Sequence, residues 1–237
     1  MSANAVSVTA SGRPLGAYEA LYMRKSIRAY RSSPVPRDSL ERILTAAGRA
    51  PSGTNTQPWR VRVLTGNARQ RLVDAVLAFR MSNPGVENWG YAYYPPKWQE
   101  PYSSRRRKVG LDMYGLLGIG KGDTGRMQEQ QNRNFCFFDA PVGLVFSIGA
   151  NMERGSWLDY GFFIQSIALA AVAEGLGSCI QACWVAHSDV VASALDFSPE
   201  ERLVCCMALG FPDMAAPVNR LETERMSLDE LALFFQD

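Results

Sequence analysis

Histidine is almost absent from this chain: His187 is the only one in 237 residues. The five cysteines, at 136, 179, 183, 205 and 206, include no Cys-x-x-Cys pair. One imidazole and scattered thiols supply no metal-ligand set. No Ser-His-Asp or paired-carboxylate pattern is present, and the glycines of 115–122 lack the Walker spacing and a preceding strand. An excess of one charge is missing too. Twenty-five Lys and Arg face 23 Asp and Glu, a net +2, too little to argue for nucleic acid or an anionic membrane surface. No apolar run reaches the ~20 residues that span a bilayer. Residues 1–12 have neither a basic start nor a sustained apolar core, so they do not read as a secretory signal; a flexible tail over 1–13 is expected. Cys205 and Cys206 lie in an apolar run, where free thiols act as small hydrophobes. The odd, unpatterned cysteine count fits a reducing cytoplasm.

What remains is an ordinary globular composition, 47% apolar and 20% charged, in a chain long enough for a sizeable core. Residues 15–23 carry Leu15, Tyr18, Leu21 and Tyr22 near helical spacing. Asp38-Ser39-Leu40-Glu41 has the form of a capping box, and Leu40, Ile43, Leu44 and Ala47 continue it as an apolar stripe ending near Gly48. Residues 61–65 alternate as a strand, Gly66-Asn67 turns, and 68–79 read as a helix. Helix is expected over 124–138 and a buried strand over 142–148. The longest helical pattern, 157–174, is apolar on nearly all sides, which places it inside the molecule; Gly175-Leu176-Gly177 ends it. A strand over 178–182, a helix over 190–195, a buried strand over 202–209 and a Ser227-capped helix through 235 follow. Strands are few and helices dominate. The class expected is α+β: a mixed central sheet flanked by helices, with one long buried central helix.

Residues 81–123 differ in kind. They hold Trp89, Tyr91, Tyr93, Tyr94, Trp98 and Tyr102, several prolines and glycines, and the run Arg105-Arg106-Arg107-Lys108. Such a segment inside a compact fold is a functional lid or an arm laid on a partner chain; both readings stay open, and both can hold. The basic run reads either as a solvated face or as an attraction for an acceptor carboxylate or the 2′-phosphate of NADPH.

Four short elements carry chemistry. Arg24-Lys25-Ser26-Ile27-Arg28 follows the first helix with three cations and a hydroxyl. Pro51-Ser52-Gly53-Thr54-Asn55-Thr56-Gln57-Pro58-Trp59 follows the second as a loop rich in backbone donors and amides. Gly175 to Trp184 follows the long helix, and Pro217 to Asp229 closes the chain. The first two suit an anionic ligand hungry for hydrogen bonds. Together the four resemble the FMN-dependent nitroreductase family, nearest its nitrobenzoate- and nitroaryl-reducing members, and the resemblance covers roughly residues 15–230.

The resemblance implies a single FMN-binding domain over 14–237, with residues 82–123 as the aromatic lid, working as an intertwined homodimer. It implies FMN as cofactor and NADH or NADPH as donor. The activity implied is ping-pong reduction of nitroaromatic or similar flat acceptors, with no catalytic side chain because flavin N5 carries the hydride. Cofactor contacts are implied for Arg24, Lys25, Ser26 and Arg28; for Pro51, Ser52, Gly53 and Asn55, reaching the partner's flavin; for Gln181, Ala182 and Cys183 near the ring; and for Arg225 at the phosphate, with Arg220 as a second candidate. Ile180 stands where many relatives have proline, and Cys183 reads as a small residue beside flavin rather than a redox thiol. Reductive dehalogenation, alkene reduction and flavin fragmentation are runner-up activities, and a non-catalytic FMN-binding module is the alternative from another class.

Overall fold

The computed structural model describes residues 15–236; the tail expected over 1–13 lies outside the described residues. Four strands, β1 (Arg60–Thr65), β2 (Val142–Gly149), β3 (Gly177–Gln181) and β4 (Glu201–Gly210), form one sheet in the order β1-β2-β4-β3. All three pairings are antiparallel. The mixed character expected of the sheet is confined to isolated bridges, of which Ser26↔Ser178 and Asn88↔His187 run parallel. Periodicity marks a strand but carries no information on the direction of its partner.

The central strands β2 and β4 are buried along almost their whole length, which explains their unbroken apolar runs. Alternate side chains point to opposite faces. Leu144, Phe146, Ile148, Met207 and Leu209 pack with helices α2 (Arg37–Ala47) and α6 (Arg154–Ala173). Val145, Cys206 and Ala208 pack on the other face with Phe137, Trp184 and helix α3 (Gly66–Ser82). Helix α1 (Ala17–Met23) lies against α6.

Several boundaries move. The α2 cap is Pro36, not Asp38; its fixed φ suits a helix entrance. The helix expected over 124–138 stops as α5 (Thr124–Asn132) and continues as a 3₁₀ turn. There Phe137, Phe138 and Asp139 take positive φ, a strained backbone held by two fully buried rings. Segment 81–123 contains an unforeseen helix, α4 (Tyr102–Leu116), with no buried residue; a helix without an apolar face leaves no periodic signal. Helix α7 is Ser188–Ala194, and α8, capped by Ser227 as expected, is only Leu228–Leu231. The long helix α6 buries Tyr160, Phe163, Ile164 and Ile167 but exposes Leu158 and Phe162, so a single chain does not enclose it. By length and composition alone α6 could cross a membrane, against the expectation that no stretch would; its inner face instead packs on the sheet.

A β-bulge makes the sheet specific. The register with β2 runs Phe146↔Cys205, then Ser147↔Leu203, so Val204 is the extra residue and drops out of the ladder. Its carbonyl accepts from the Tyr91 hydroxyl at 2.5 Å, and the Tyr91 ring meets Trp157 at 4.5 Å. The irregular strand thereby anchors the aromatic segment. Near the bulge, the part-buried Glu201 accepts from Arg62 at 2.8 and 3.1 Å and from Ser147 at 2.8 Å.

Arg62 foremost, with help from Ser147 and Ser198, holds the Glu201 carboxyl down at about 2. A depressed carboxyl stabilises the fold above its unfolded value of about 4.3, and that contribution fades as pH falls from there toward 2. Glu201→Gln is therefore expected to lower stability at neutral pH by about 2 kcal/mol. Its unfolding free energy in urea should also vary less than wild type between about pH 4 and 2. Equal acid dependence in both proteins would contradict this.

Candidate functional site

Helix α1 ends where Arg24 turns extended, at φ −61° and ψ 120°. The chain then lies along β3: Ser26 bridges Ser178, and the Ile27 amide donates to the Ser178 carbonyl at 2.9 Å. Ile27 is buried against Gly177, where an added Cβ would stand 2.5 Å from Ile27 Cγ1. Only glycine admits so close an approach. With residue 27 pointing inward, Arg24, Lys25, Ser26 and Arg28 stay partly exposed beside it.

Buried Asn219 stitches this segment to the tail. Its Oδ1 accepts from the Arg28 amide at 2.7 Å, and its Nδ2 donates to the carbonyls of Ala29 and Asp213, each at 2.8 Å. The sequence marked Asn219 only as part of a tail motif, although a buried carboxamide must find partners. Arg28 Nη1 donates to the Ser26 carbonyl at 3.3 Å. Burial pushes the Cys179 thiol up, against the pull of Arg28, the Ser26 hydroxyl and Arg24, so both guanidiniums lie near β3. Among the described residues no carboxylate pairs with Arg24, Lys25 or Arg28. Clustered guanidiniums with no internal anion form a donor set fit for a phosphate.

The strand end is built differently from expectation. The Gln181 carboxamide is engaged inside the protein, donating to the Asn134 carbonyl at 2.7 Å and accepting from Trp184 Nε1 at 3.4 Å. Its side chain is therefore unavailable to a ligand. Ala182 and Cys183 open a 3₁₀ turn, Ala182–Ala186, and are partly exposed; first-turn amides have no helical acceptor. Burial pushes the Cys183 thiol up to about 12, far from the thiolate that redox chemistry needs.

The loop after α2 is exposed, with Thr54, Asn55 and Gln57 at positive φ. Ser52 Oγ accepts from the Gln57 amide and the Gly53 amide donates to Asp159, both at 3.0 Å. Pro51, Ser52, Gly53 and Asn55 thus sit beside α6. Among the described residues no hydrogen bond joins them to 24–28. Trp59 stacks on Phe163 at 4.8 Å and packs against the core. Arg225 bonds locally to Thr223 and the Glu224 carbonyl and lines a cleft with Arg105 and Lys108. Of the expected residues, one chain brings together only the 24–28 cluster and β3.

The Nitroreductase family model matches residues 21–211. The chain is 35% identical to the nitrobenzene nitroreductase of Ectopseudomonas oleovorans, covering 90% of this chain and 94% of that one. It is 37% identical to the 4-nitrobenzoate reductase of Pseudomonas putida, covering 85% and 88%. Among solved structures it superposes with TM-score 0.92 and 38% identity on the FMN and NADPH-dependent nitroreductase NfnB from Sphigopyxis sp. strain HMH, covering 94% of this chain and all of that one. The chain belongs to the nitroreductase family.

Replacing Gly177 with alanine places a methyl against a β-branched side chain that cannot yield. Gly177→Ala should lower stability by about 1–3 kcal/mol and weaken FMN binding, because Ile27 carries Arg24 and Arg28 with it. Urea unfolding and flavin fluorescence titration measure the two effects. Wild-type values in both would contradict the packing described.

Proposed function

We propose that this protein is a homodimeric flavoenzyme of one domain over 14–237, reducing nitroaromatic acceptors with electrons from NAD(P)H. The carrying observation is the Arg24, Lys25 and Arg28 cluster beside β3, paired with no carboxylate among the described residues, in a chain 35–38% identical to enzymes named for that reaction. NADPH is the favoured donor, since two similar structures are an NADPH-dependent enzyme and a complex with NADPH.

Bound FMN would supply the hydride chemistry at N5. Arg24 would grip its phosphate, and Ser26 with the Lys25 backbone would serve phosphate or ribityl oxygens; Arg225, which one chain does not bring beside them, would have to join from its tail on assembly. Arg28 would place a cation where the reduced ring gathers negative charge. Backbone at Gln181, Ala182 and Cys183 would face the ring edge. No side chain is assigned as acid or base, as water can protonate the product. Tyr93 and Tyr94, edge to face at 4.7 Å, and Trp98, tilted against Tyr94 at 5.7 Å, would wall a flat acceptor. The five free cysteines fit a cytoplasmic setting.

A dimer accounts for apolar surface that one chain leaves open. Tyr18 and Tyr22 on α1, Leu158 and Phe162 on α6, and Phe234 and Phe235 in the tail are all more than half exposed, more than a monomer normally leaves in water. Pro51, Ser52, Gly53 and Asn55 would then serve the flavin of the other protomer.

Two measurements test this reading. Anaerobic NADPH should bleach the yellow protein, and 4-nitrobenzoate or nitrobenzene should restore the colour. Stable yellow would indicate a binding module, and failure to take up FMN would remove both readings. Light scattering should give a dimer; an active, FMN-loaded monomer would contradict the assembly.

A further inference from the structure

His187, the only histidine, has no part in the site above, yet it is 3% exposed. Its Nε2 lies 2.8 Å from Arg80 Nη1. A guanidinium stays protonated and only donates, so Nε2 is the acceptor and the imidazole proton sits on Nδ1. That Nδ1 is buried without a partner. Arg80 is fixed in turn: its Nη2 donates to Asn132 Oδ1 at 2.9 Å, and its guanidinium lies 4.1 Å from the Phe135 ring centre. Phe135 and Phe79 wall the imidazole at 5.2 and 5.9 Å. Among the described residues Arg80 meets no carboxylate; its partners are neutral.

The position of this pair gives it reach. His187 ends the turn that begins at Ala182 and Cys183. Its neighbours hold the base of the aromatic segment: the Asn88 amide donates to the Ala186 carbonyl at 2.8 Å, Ser188 Oγ donates to the Asn88 carbonyl at 3.0 Å, and Asn88 Nδ2 donates to Asp189. We propose that Arg80 and His187 form a clamp of positioning residues, which sets the 186–189 stretch and the base of the aromatic segment in the geometry the acceptor needs. This assignment rests on the reading of the flavin and acceptor sites given above.

The clamp works in one protonation state. The charged and titratable groups around it are Arg80 from α3, Glu87 from the segment that follows, Asp189 from α7, and the Cys183 thiol, which feels Arg80 and is held neutral by burial. Burial and then Arg80 lower the His187 pKa from 6.5, against Glu87. At neutral pH the ring is uncharged and the clamp closed. A proton arriving at Nε2 would set one N–H against another and two cations in contact, opening it.

Because His187 is the sole histidine, untagged FMN-loaded protein gives one imidazole signal in long-range proton–nitrogen NMR. The expected spectrum shows Nδ1 protonated and Nε2 bare at neutral pH, with a midpoint below 6.5. In Arg80→Met the midpoint should rise and amide exchange over residues 83–90 should quicken. The acceptor KM should increase about tenfold, while FMN affinity stays within about twofold of wild type. Arg80→Lys keeps a cationic donor and should recover most of the KM. In wild type the acceptor KM should climb as acid crosses the NMR midpoint. A proton on Nε2 at neutral pH, or a midpoint at or above 6.5, would overturn the clamp. So would a normal acceptor KM in Arg80→Met, or equal losses of FMN affinity and KM in that variant. Loss of FMN uptake or NADPH bleaching in wild type would instead overturn the functional reading, and the positioning role with it.

Discussion

Ile27 presses onto β3 at Gly177, a position with room for no side chain at all. That approach lets the 24–28 segment run close enough to β3 for the Ile27 amide to reach the Ser178 carbonyl. It also turns the flanking cations away from the core. Asn219 and Tyr30 fasten the same peptide unit at its end: Asn219 Oδ1 accepts from the Arg28 amide at 2.7 Å, and the Tyr30 hydroxyl donates to the Ile27 carbonyl at 2.9 Å. The candidate phosphate site is thus a by-product of packing. A buried isoleucine fixes the backbone, and the charged neighbours have only the outward direction left. Rigid placement of this kind is what a preorganised anion site requires.

The arginines sort by the company they keep. Arg42 joins Glu174 at 2.7 Å and Arg62 joins Glu201 at 2.8 Å, tying α2 to the end of α6 and β1 to β4. These pairs are internal to the fold. Arg24 and Arg28 have no described carboxylate, and Arg80 has only neutral partners. Cations drawn partly out of water are costly unless something anionic or polar completes them. In the reading proposed above the first two meet a ligand phosphate, whereas Arg80 is completed by an imidazole held neutral. The bulge at Val204 adds the third tie, through Tyr91. The aromatic segment is therefore held at Tyr91 and at Asn88, while Tyr93 and Tyr94 remain open to solvent.

Much of this was legible in the sequence where a single pattern dominates. The apolar runs of β2 and β4, the long helix α6, the Ser227 cap and the cation cluster after α1 all declare themselves locally. Other features depend on residues far apart. Arg80 and His187 are 107 positions apart, and the partner of a buried histidine cannot be read from its neighbours. Helix α4 lacks an apolar face, so periodicity passes it by. The turn at Phe137 and Phe138 adopts a backbone that those residues do not favour, because burying both rings outweighs the local preference. Gln181 shows the opposite failure: a motif position reads as ligand-facing, but the carboxamide is held by Asn134 and Trp184.

The central claim is that the carboxylate-free cluster held by Ile27 and Gly177 receives the flavin phosphate. The direct measurement compares apoprotein affinity for FMN and for riboflavin, which lacks the phosphate, in wild type and Arg24→Ala. The account predicts that the substitution weakens FMN about ten- to a hundredfold, as loss of one charge-assisted contact should, while riboflavin binding is unchanged. Equal losses for both ligands, or no loss for FMN, would contradict it.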